Sequence, residues 1–128
     1  MRLLDSNIVI YASHPSHEWL RLEILSNPFA ISQATRVEVL GWHRITPEDQ
    51  KDLESFLAAG TTFSLTDEVA DKALSLRQRK KMSLGDAFIA ATAMVHDCEL
   101  ITRNVDDFSH IPALRLVNPF DKQVPQTD

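Results

Sequence analysis

A single cysteine, Cys98, in a chain of 128 residues leaves no internal disulfide and no thiolate pair to clamp zinc. A reducing, cytoplasmic setting follows as the expectation. Long apolar runs are also missing. The stretch Ile8 to Ala12 is too short and too badly flanked for a signal peptide, and nothing approaches the roughly 20 apolar residues that a membrane-spanning helix needs. The five histidines, His14, His17, His43, His96 and His110, form no His-x-x-x-His pair on a helix, so zinc hydrolysis is not indicated. Basic charge is scarce too: 13 Lys and Arg against 18 Asp and Glu give a formal net charge of −5. That balance excludes a tight, sequence-blind nucleic-acid coat, because Lys and Arg contacts to phosphate supply most of such affinity. An enzyme acting on nucleic acid is still compatible with it, provided that cations offset its carboxylates and its basic residues are gathered near the site. Arg77, Arg79, Lys80 and Lys81 are such a gathering.

What is present suits one folded domain over residues 1–128, with the last few residues expected to form a flexible tail. Hydrophobic residues make up 44% and charged residues 24%, ordinary values for a globular chain with a real core. No repeat or low-complexity tract interrupts it.

Periodicity and caps predict the elements. Arg2 to Leu4 reads as a short apolar strand that ends at Asp5, and Asn7 to Ala12 as a turn or the start of a helix. His17 to Leu25 reads as a helix and Phe29 to Ser32 as a strand. Thr35 is expected to begin a helix through Val39 and Trp42, and Thr46-Pro47-Glu48 to open another, which Gly60 stops. Thr61 to Leu65 alternates as a strand. Thr66 caps a helix to about Lys80, and Ser83 caps one from Leu84 to about His96. Glu99 to Thr102 and Leu114 to Val117 complete the strands. Apolar strands separated by helices predict a three-layer α/β/α domain around a mainly parallel sheet of about five strands. Ligands of such sheets bind beyond the carboxyl ends of the strands, so strand ends are where chemistry is sought.

Acids stand at those ends. Asp5 follows Leu3 and Leu4, where a carboxylate is costly unless paired, hydrogen-bonded or bound to a cation; an Asx-turn or helix cap is the competing explanation. Glu38 and Asp86 each lie three residues after a hydroxyl, in Thr35-Arg-Val-Glu38 and Ser83-Leu-Gly-Asp86, the spacing of a capping box, and Thr46 with Asp49 repeats that spacing where no chemistry is expected. Asp86 differs from Asp49 in its surroundings. The helix it opens, through Ala87-Phe88-Ile89-Ala90-Ala91-Thr92-Ala93, is small or apolar nearly all round and should be deeply packed. Gly85, unfavourable within a helix, makes sense where something must approach closely. The stretch Leu100 to Phe108 then runs a strand into a polar loop holding Asn104, Asp106 and Asp107. Asp106 fits a solvated turn, and either Asn104 or Asp107 can be the fourth site residue. Collectively these oxygen-bearing side chains form a hard-cation site. Two such ions can activate water and stabilise the leaving oxygen of a phosphodiester.

These segments resemble the PIN-domain nucleases, and within them the VapC-type toxins of bacterial toxin–antitoxin pairs, from Met1 to about Phe120. Leu3-Leu4-Asp5-Ser6-Asn7-Ile8-Val9-Ile10-Tyr11 is similar to the family's opening motif, Thr35 to Gly41 to its Glu helix, and Ser83 to Ala93 to its most recognisable segment. Thr102 to Phe108 with Val117-Asn118-Pro119-Phe120 is similar to its tail. The resemblance implies an endoribonuclease that uses Mg2+ or Mn2+, with Asp5, Glu38, Asp86 and Asp107 as metal ligands and Asn104 as a further catalytic candidate. Relatives carry either Asp or Asn at the position of Asn104. It also implies substrate contacts from Ser6, Thr102, Arg77, Arg79, Lys80 and Lys81, an RNA substrate, a small antitoxin partner and a homodimer.

Two rivals remain from the residues. A phosphotransfer domain also places an Asp after its first strand but shows a second acid beside it, which Asp5-Ser6-Asn7 lacks. A PIN-like scaffold without cutting power is the other, and the uncharged Asn104 leaves room for it. Trp19 and Trp42 are expected to be core or interface anchors.

Overall fold

Leu3 and Leu4 expose no surface, and the strand they end is the middle of a sheet. In the computed structural model, which describes residues 1–121, that strand is β1 (Arg2–Leu4); the expected flexible tail falls outside the described residues. The other strands are β2 (Phe29–Ser32), β3 (Thr61–Phe63), β4 (Glu99–Ile101) and β5 (Leu116–Val117), in spatial order β3-β2-β1-β4-β5. Every pairing is parallel. Register sets Leu4 beside Ile101, so β1 and β4 end together.

Six α-helices pack on this sheet: α1 (Ser6–Ser13), α2 (Glu18–Leu25), α3 (Gln33–Leu40), α4 (Pro47–Ala58), α5 (Asp67–Arg79) and α6 (Leu84–Val95). Alternate residues of β1 point to opposite faces and found two cores. Leu3 joins Val69, Ala73 and Leu76 of α5 and the alanines of α6. Leu4 joins Ile8 and Val9 of α1, Leu20 and Ile24 of α2, and Phe56 and Leu57 of α4. The result is three layers with an all-parallel centre. α6 buries Ala87, Ile89, Ala90, Ala91, Thr92 and Ala93, as its composition predicts. Small side chains let it lie close to β2, β4 and α5, and burying Ile89 alone contributes about 1.5–3 kcal/mol.

The structure differs from the expectation in β5, which starts at Leu116 and not Leu114, and in α3 and β3. α3 starts at Gln33, not Thr35, because β2 runs straight into it and Ser32 caps it by accepting from Ala34 N–H at 3.1 Å. It stops at Leu40, with Gly41 as its cap, short of Trp42. β3 is an edge strand that ends at Phe63, short of Leu65, and its adjacent Thr61 and Thr62 are both exposed, so it does not alternate as expected.

Candidate metal centre

The chain leaves β1 to build one half of the sheet through β2 and β3, and returns on the other side of β1 for β4. The strand order thus reverses between β1 and β4, and at such a point the loops part and open a crevice. Asp5 closes β1 there and Thr102 follows β4. Asp5 N–H donates to Ile101 C=O at 2.9 Å, and the Thr102 hydroxyl donates to Asp5 Oδ2 at 2.8 Å. Asp5 Oδ1 accepts from Ser6 N–H at 2.8 Å, capping α1. The capping explanation is therefore correct as far as it goes, but it accounts for one oxygen of a carboxylate that is only 4% exposed. Burial pushes the pKa of Asp5 up; the Thr102 bond pulls it down, the charge of Asp86 raises it, the Ser6 N–H lowers it, and the charge of Glu38 raises it again.

Glu38 reaches the same place from α3. With Ser32 as the true cap, Thr35 is no capping residue for Glu38; it is wholly buried inside the second core's rim. Ser6 Oγ lies 3.1 Å from Thr35 Oγ1 and donates to Glu38 Oε1 at 3.0 Å. A carboxylate only accepts and one hydroxyl has one hydrogen, so Ser6 holds Glu38 while Thr35 steadies Ser6. Ser6 is buried behind the carboxylate and is a positioning residue, not a group open to substrate. The part played by Thr35 was hidden in the sequence by its capping-box spacing. Only its lack of any exposed surface reveals it.

Asp86 sits in the first turn of α6, whose cap Ser83 accepts from Asp86 N–H at 3.1 Å. Its pKa is raised, by burial first, then by the charge of Asp107; the Ser83 hydroxyl lowers it, and the charge of Glu38 raises it. Gly85 explains itself here: a Cβ at this position would stand 3.1 Å from Glu38 Oε1 and 3.3 Å from Oε2. The backbone of α6 and the carboxylate of α3 therefore meet at a spot that only glycine leaves free.

Asp107 is exposed on a 3-10 turn, Val105–Asp107, and its charge bears on Asp86. Asn104 precedes that turn, half-buried, with its N–H donating to Thr102 Oγ1 at 3.0 Å. Thr102 itself is wholly buried and its hydroxyl is engaged on both sides, which makes it another positioning group. Beside Asp86 and Asp107 opens a depression of about 580 Å³ lined also by Arg77, Lys80, Lys81, Ser83 and His110. Arg79 lies elsewhere, in a recess with Lys72, Met94 and Ile111. Three of the four residues of the basic run thus border the acids and one does not.

Asp5, just after β1, thus feels the charges of Asp86 and Glu38, and Asp86 on α6 feels those of Asp107 and of Glu38 on α3. Among the described residues none of these four acids is paired with Lys or Arg, since the ion pairs found, Arg2–Glu23 and Arg115–Asp97, are remote from them. A like-charged, oxygen-only set, in which Asp5 is buried, Asp86 half-buried and Glu38 and Asp107 exposed, suits a hard divalent cation better than any protein partner in reach. No three His, Cys, Asp or Glu side chains among the described residues are close enough to cage an ion unaided. Magnesium needs no such cage, because it takes one or two carboxylates and completes its shell with water and phosphate.

A model of the PIN domain family matches residues 2–114. The chain belongs to that family. This PIN domain is similar to Ribonuclease VapC10 of Mycobacterium tuberculosis, 30% identical over 127 residues that cover 93% of this chain and 92% of the relative. Among solved structures it is similar to a toxin–antitoxin complex from Klebsiella pneumoniae, with 32% identity, a TM-score of 0.77, and 93% of this chain and 98% of that one covered. It is also similar to VapBC2 from Rickettsia felis bound to a DNA fragment from their promoter, with 26% identity, a TM-score of 0.78, and 91% and 97% covered. The four acids of this PIN domain all lie within the span matched by the family.

Proposed function

We propose that this PIN domain is an endoribonuclease that hydrolyses RNA phosphodiesters, with Mg2+ or Mn2+ held by Asp5, Glu38, Asp86 and Asp107, and that it is the toxin of a toxin–antitoxin pair. The observation that carries the proposal is the mutual influence of Asp5, Glu38 and Asp86, with Asp107 acting on Asp86, near the crevice between β1 and β4, with no salt bridge to Lys or Arg among the described residues. The likeness to a ribonuclease over nearly the full length of both chains supports the substrate class.

When bound, such an ion offsets charge on the phosphate and makes water acidic enough to attack at neutral pH. The chain's own contribution is preorganisation. Thr102 and the Ser6 N–H fix both oxygens of Asp5, Ser6 fixes Glu38, and the cap at Ser83 fixes Asp86 on a buried helix. Held this way, the ligands do not reorganise when substrate arrives. Arg77, Lys80 and Lys81 line the depression next to Asp86 and draw the RNA backbone towards the acids, which compensates for the unfavourable net charge. Asn104 is the uncharged neighbour that orients phosphate or the ion's water shell.

The partner is a small antitoxin, as the complexes to which this chain is similar suggest. A groove of about 520 Å³, with Ile10, Val39, Trp42, Ile45 and Leu53 as its apolar lining and Glu38, Asp49 and Asp52 as its acids, suits a partner segment that carries apolar and basic side chains. Ile10 is 50% and Trp42 53% exposed, a large apolar surface to leave in water. Trp42 is thus an interface anchor, whereas Trp19 packs against the second core. The enzyme works in the cytoplasm as a homodimer in this proposal. No described helix is long and apolar enough to cross a membrane.

The test is cleavage of total cellular RNA with magnesium, repeated with chelator and with Asp5→Asn and Asp86→Asn. Cutting by the native chain alone, abolished by chelator, supports the proposal. Equal residual cutting by native and variant chains identifies a contaminant and removes the enzyme. A second reading, a binding scaffold, draws on Asn104 and on the absence of a closed ligand cage among the described residues; RNA binding with no metal-dependent cleavage would favour it.

A further inference from the structure

Arg103 follows Thr102 directly, so its backbone is one residue, about 3.8 Å between Cα atoms, from the group that holds Asp5. Its side chain reaches two aromatic rings. The guanidinium carbon is 4.1 Å from the centre of the Phe120 ring and 5.3 Å from that of Tyr11. Phe120 is itself wedged edge-on against Tyr11, His17 and Trp19. These rings belong to the layer of α1 and α2, on the opposite face of the sheet from α5, which carries Arg77.

Three observations set this arginine apart from a simple packing group. The loop it stands in is acid-rich, with Asp106 and Asp107 three and four residues on, in a chain of net charge −5. Yet among the described residues Arg103 joins neither of the two ion pairs found. Its side chain is exposed, and the rings contact the guanidinium without accepting its N–H donors in conventional hydrogen bonds. The in-plane N–H donors remain available in the fork geometry that matches two phosphate oxygens. Contact with the rings also fixes the fork in advance, so that less freedom is lost when an anion binds.

We propose that Arg103, braced on Phe120 and Tyr11, is a phosphate-binding residue that grips the RNA backbone on the side of the carboxylates opposite Arg77, Lys80 and Lys81. The strand then crosses the end of the sheet from one helix layer to the other, with the scissile phosphate over Asp5 and Asp86 between two cationic supports. This inference rests on the ribonuclease reading and extends it to the path of the substrate.

The test measures binding of a fluorescein-labelled, single-stranded RNA of mixed sequence by anisotropy across a salt series. It uses the full chain with Asp5→Asn to prevent cleavage, alone and combined with Arg103→Met or Arg103→Lys; thermal unfolding is followed in parallel. Methionine keeps an apolar body on the rings and removes the charge, whereas lysine keeps the charge and loses the planar fork. The expected result for Arg103→Met is affinity lower by about tenfold and a slope of log K against log salt shallower by about 0.7. Arg103→Lys should retain the parental slope. In the cleaving chain Arg103→Met should raise KM with kcat nearly unchanged. An unchanged slope and affinity for Arg103→Met, with or without a lower Tm, overturns the proposal and leaves Arg103 as a brace for the C-terminal segment. RNA that is bound and cut by the native chain in that case keeps the ribonuclease reading intact. Failure of the parent to bind RNA at all removes both.

Discussion

Replacing Thr102 by valine isolates the group that joins β4 to the metal centre. The two side chains have nearly the same shape, so the wholly buried site is not emptied. What vanishes is one hydroxyl with two engagements: it donates to Asp5 Oδ2 at 2.8 Å and accepts from Asn104 N–H at 3.0 Å. A hydrogen bond to a charged group is worth about 1.5–3 kcal/mol, and an orphaned buried donor costs about 1–3 kcal/mol. Asn104 is only half-buried, so water recovers part of the second loss. The expected destabilisation is about 2–4 kcal/mol, a large part of the roughly 5–15 kcal/mol that holds a domain together. Thr102→Ser keeps the oxygen and loses one methyl, about 1 kcal/mol. The Thr102 bond favours the ionised form of Asp5. The valine deficit should therefore be greatest where Asp5 is charged and shrink as pH falls and it takes up a proton. Urea unfolding of the three chains, near neutral pH and in mild acid, measures all of this. A valine variant within about 0.5 kcal/mol of native, or a serine variant as unstable as the valine, refutes the hydroxyl's assigned role.

Gly85→Ala gains about 0.5–1 kcal/mol of helix propensity but sets a methyl 3.1 Å from Glu38 Oε1. The flexible carboxylate must withdraw, so urea unfolding should show equal or higher stability while cleavage requires more magnesium. The raised pKa values of Asp5 and Asp86 mean that, between the ordinary carboxylate value of 3.8 and their folded values, the native state holds more protons than the unfolded one. Stability without metal should therefore fall as pH rises through that window. Added Mg2+ should restore it at neutral pH, and the double variant Asp5→Asn/Asp86→Asn should show neither effect in thermal unfolding. Neutralising Arg77, Lys80 and Lys81 together as glutamines should raise KM for RNA with little change in kcat, whereas Arg79→Gln, which is not part of the depression's lining, should leave both near native in steady-state kinetics.

The three-layer architecture was legible because period and composition agree along most of the chain. Leu3 and Leu4 announce a strand buried on both faces, and the alanines of α6 announce a helix buried nearly all round. The location of the site followed from a topological rule, since parallel strands bring their carboxyl ends together wherever the order reverses. Less legible was the role of each hydroxyl. Ser32 reads as the end of a strand and Thr35 as the cap, whereas the uninterrupted passage from β2 into α3 makes Ser32 the cap. Thr35 and Ser6 hold Glu38 by contacts across 29 and 32 positions of sequence, which no local spacing encodes. The basic run read as one patch, but helix geometry turns Arg79 away from Arg77, two residues earlier. Arg103 could not be singled out at all, because its rings come from α1 and from the far end of the chain.

The most direct measurement is a calorimetric titration of Mn2+ into the native chain, Asp86→Asn and Asp49→Asn. Asp49 shares the spacing of an acid three residues after a helix cap but stands on α4, and its charge acts on neither Asp5 nor Asp86. A shared ion requires native and Asp49→Asn to bind alike and Asp86→Asn to bind at least about tenfold more weakly. Equal binding by all three chains, or none by the native chain even with RNA present, would contradict a divalent cation held jointly by these acids.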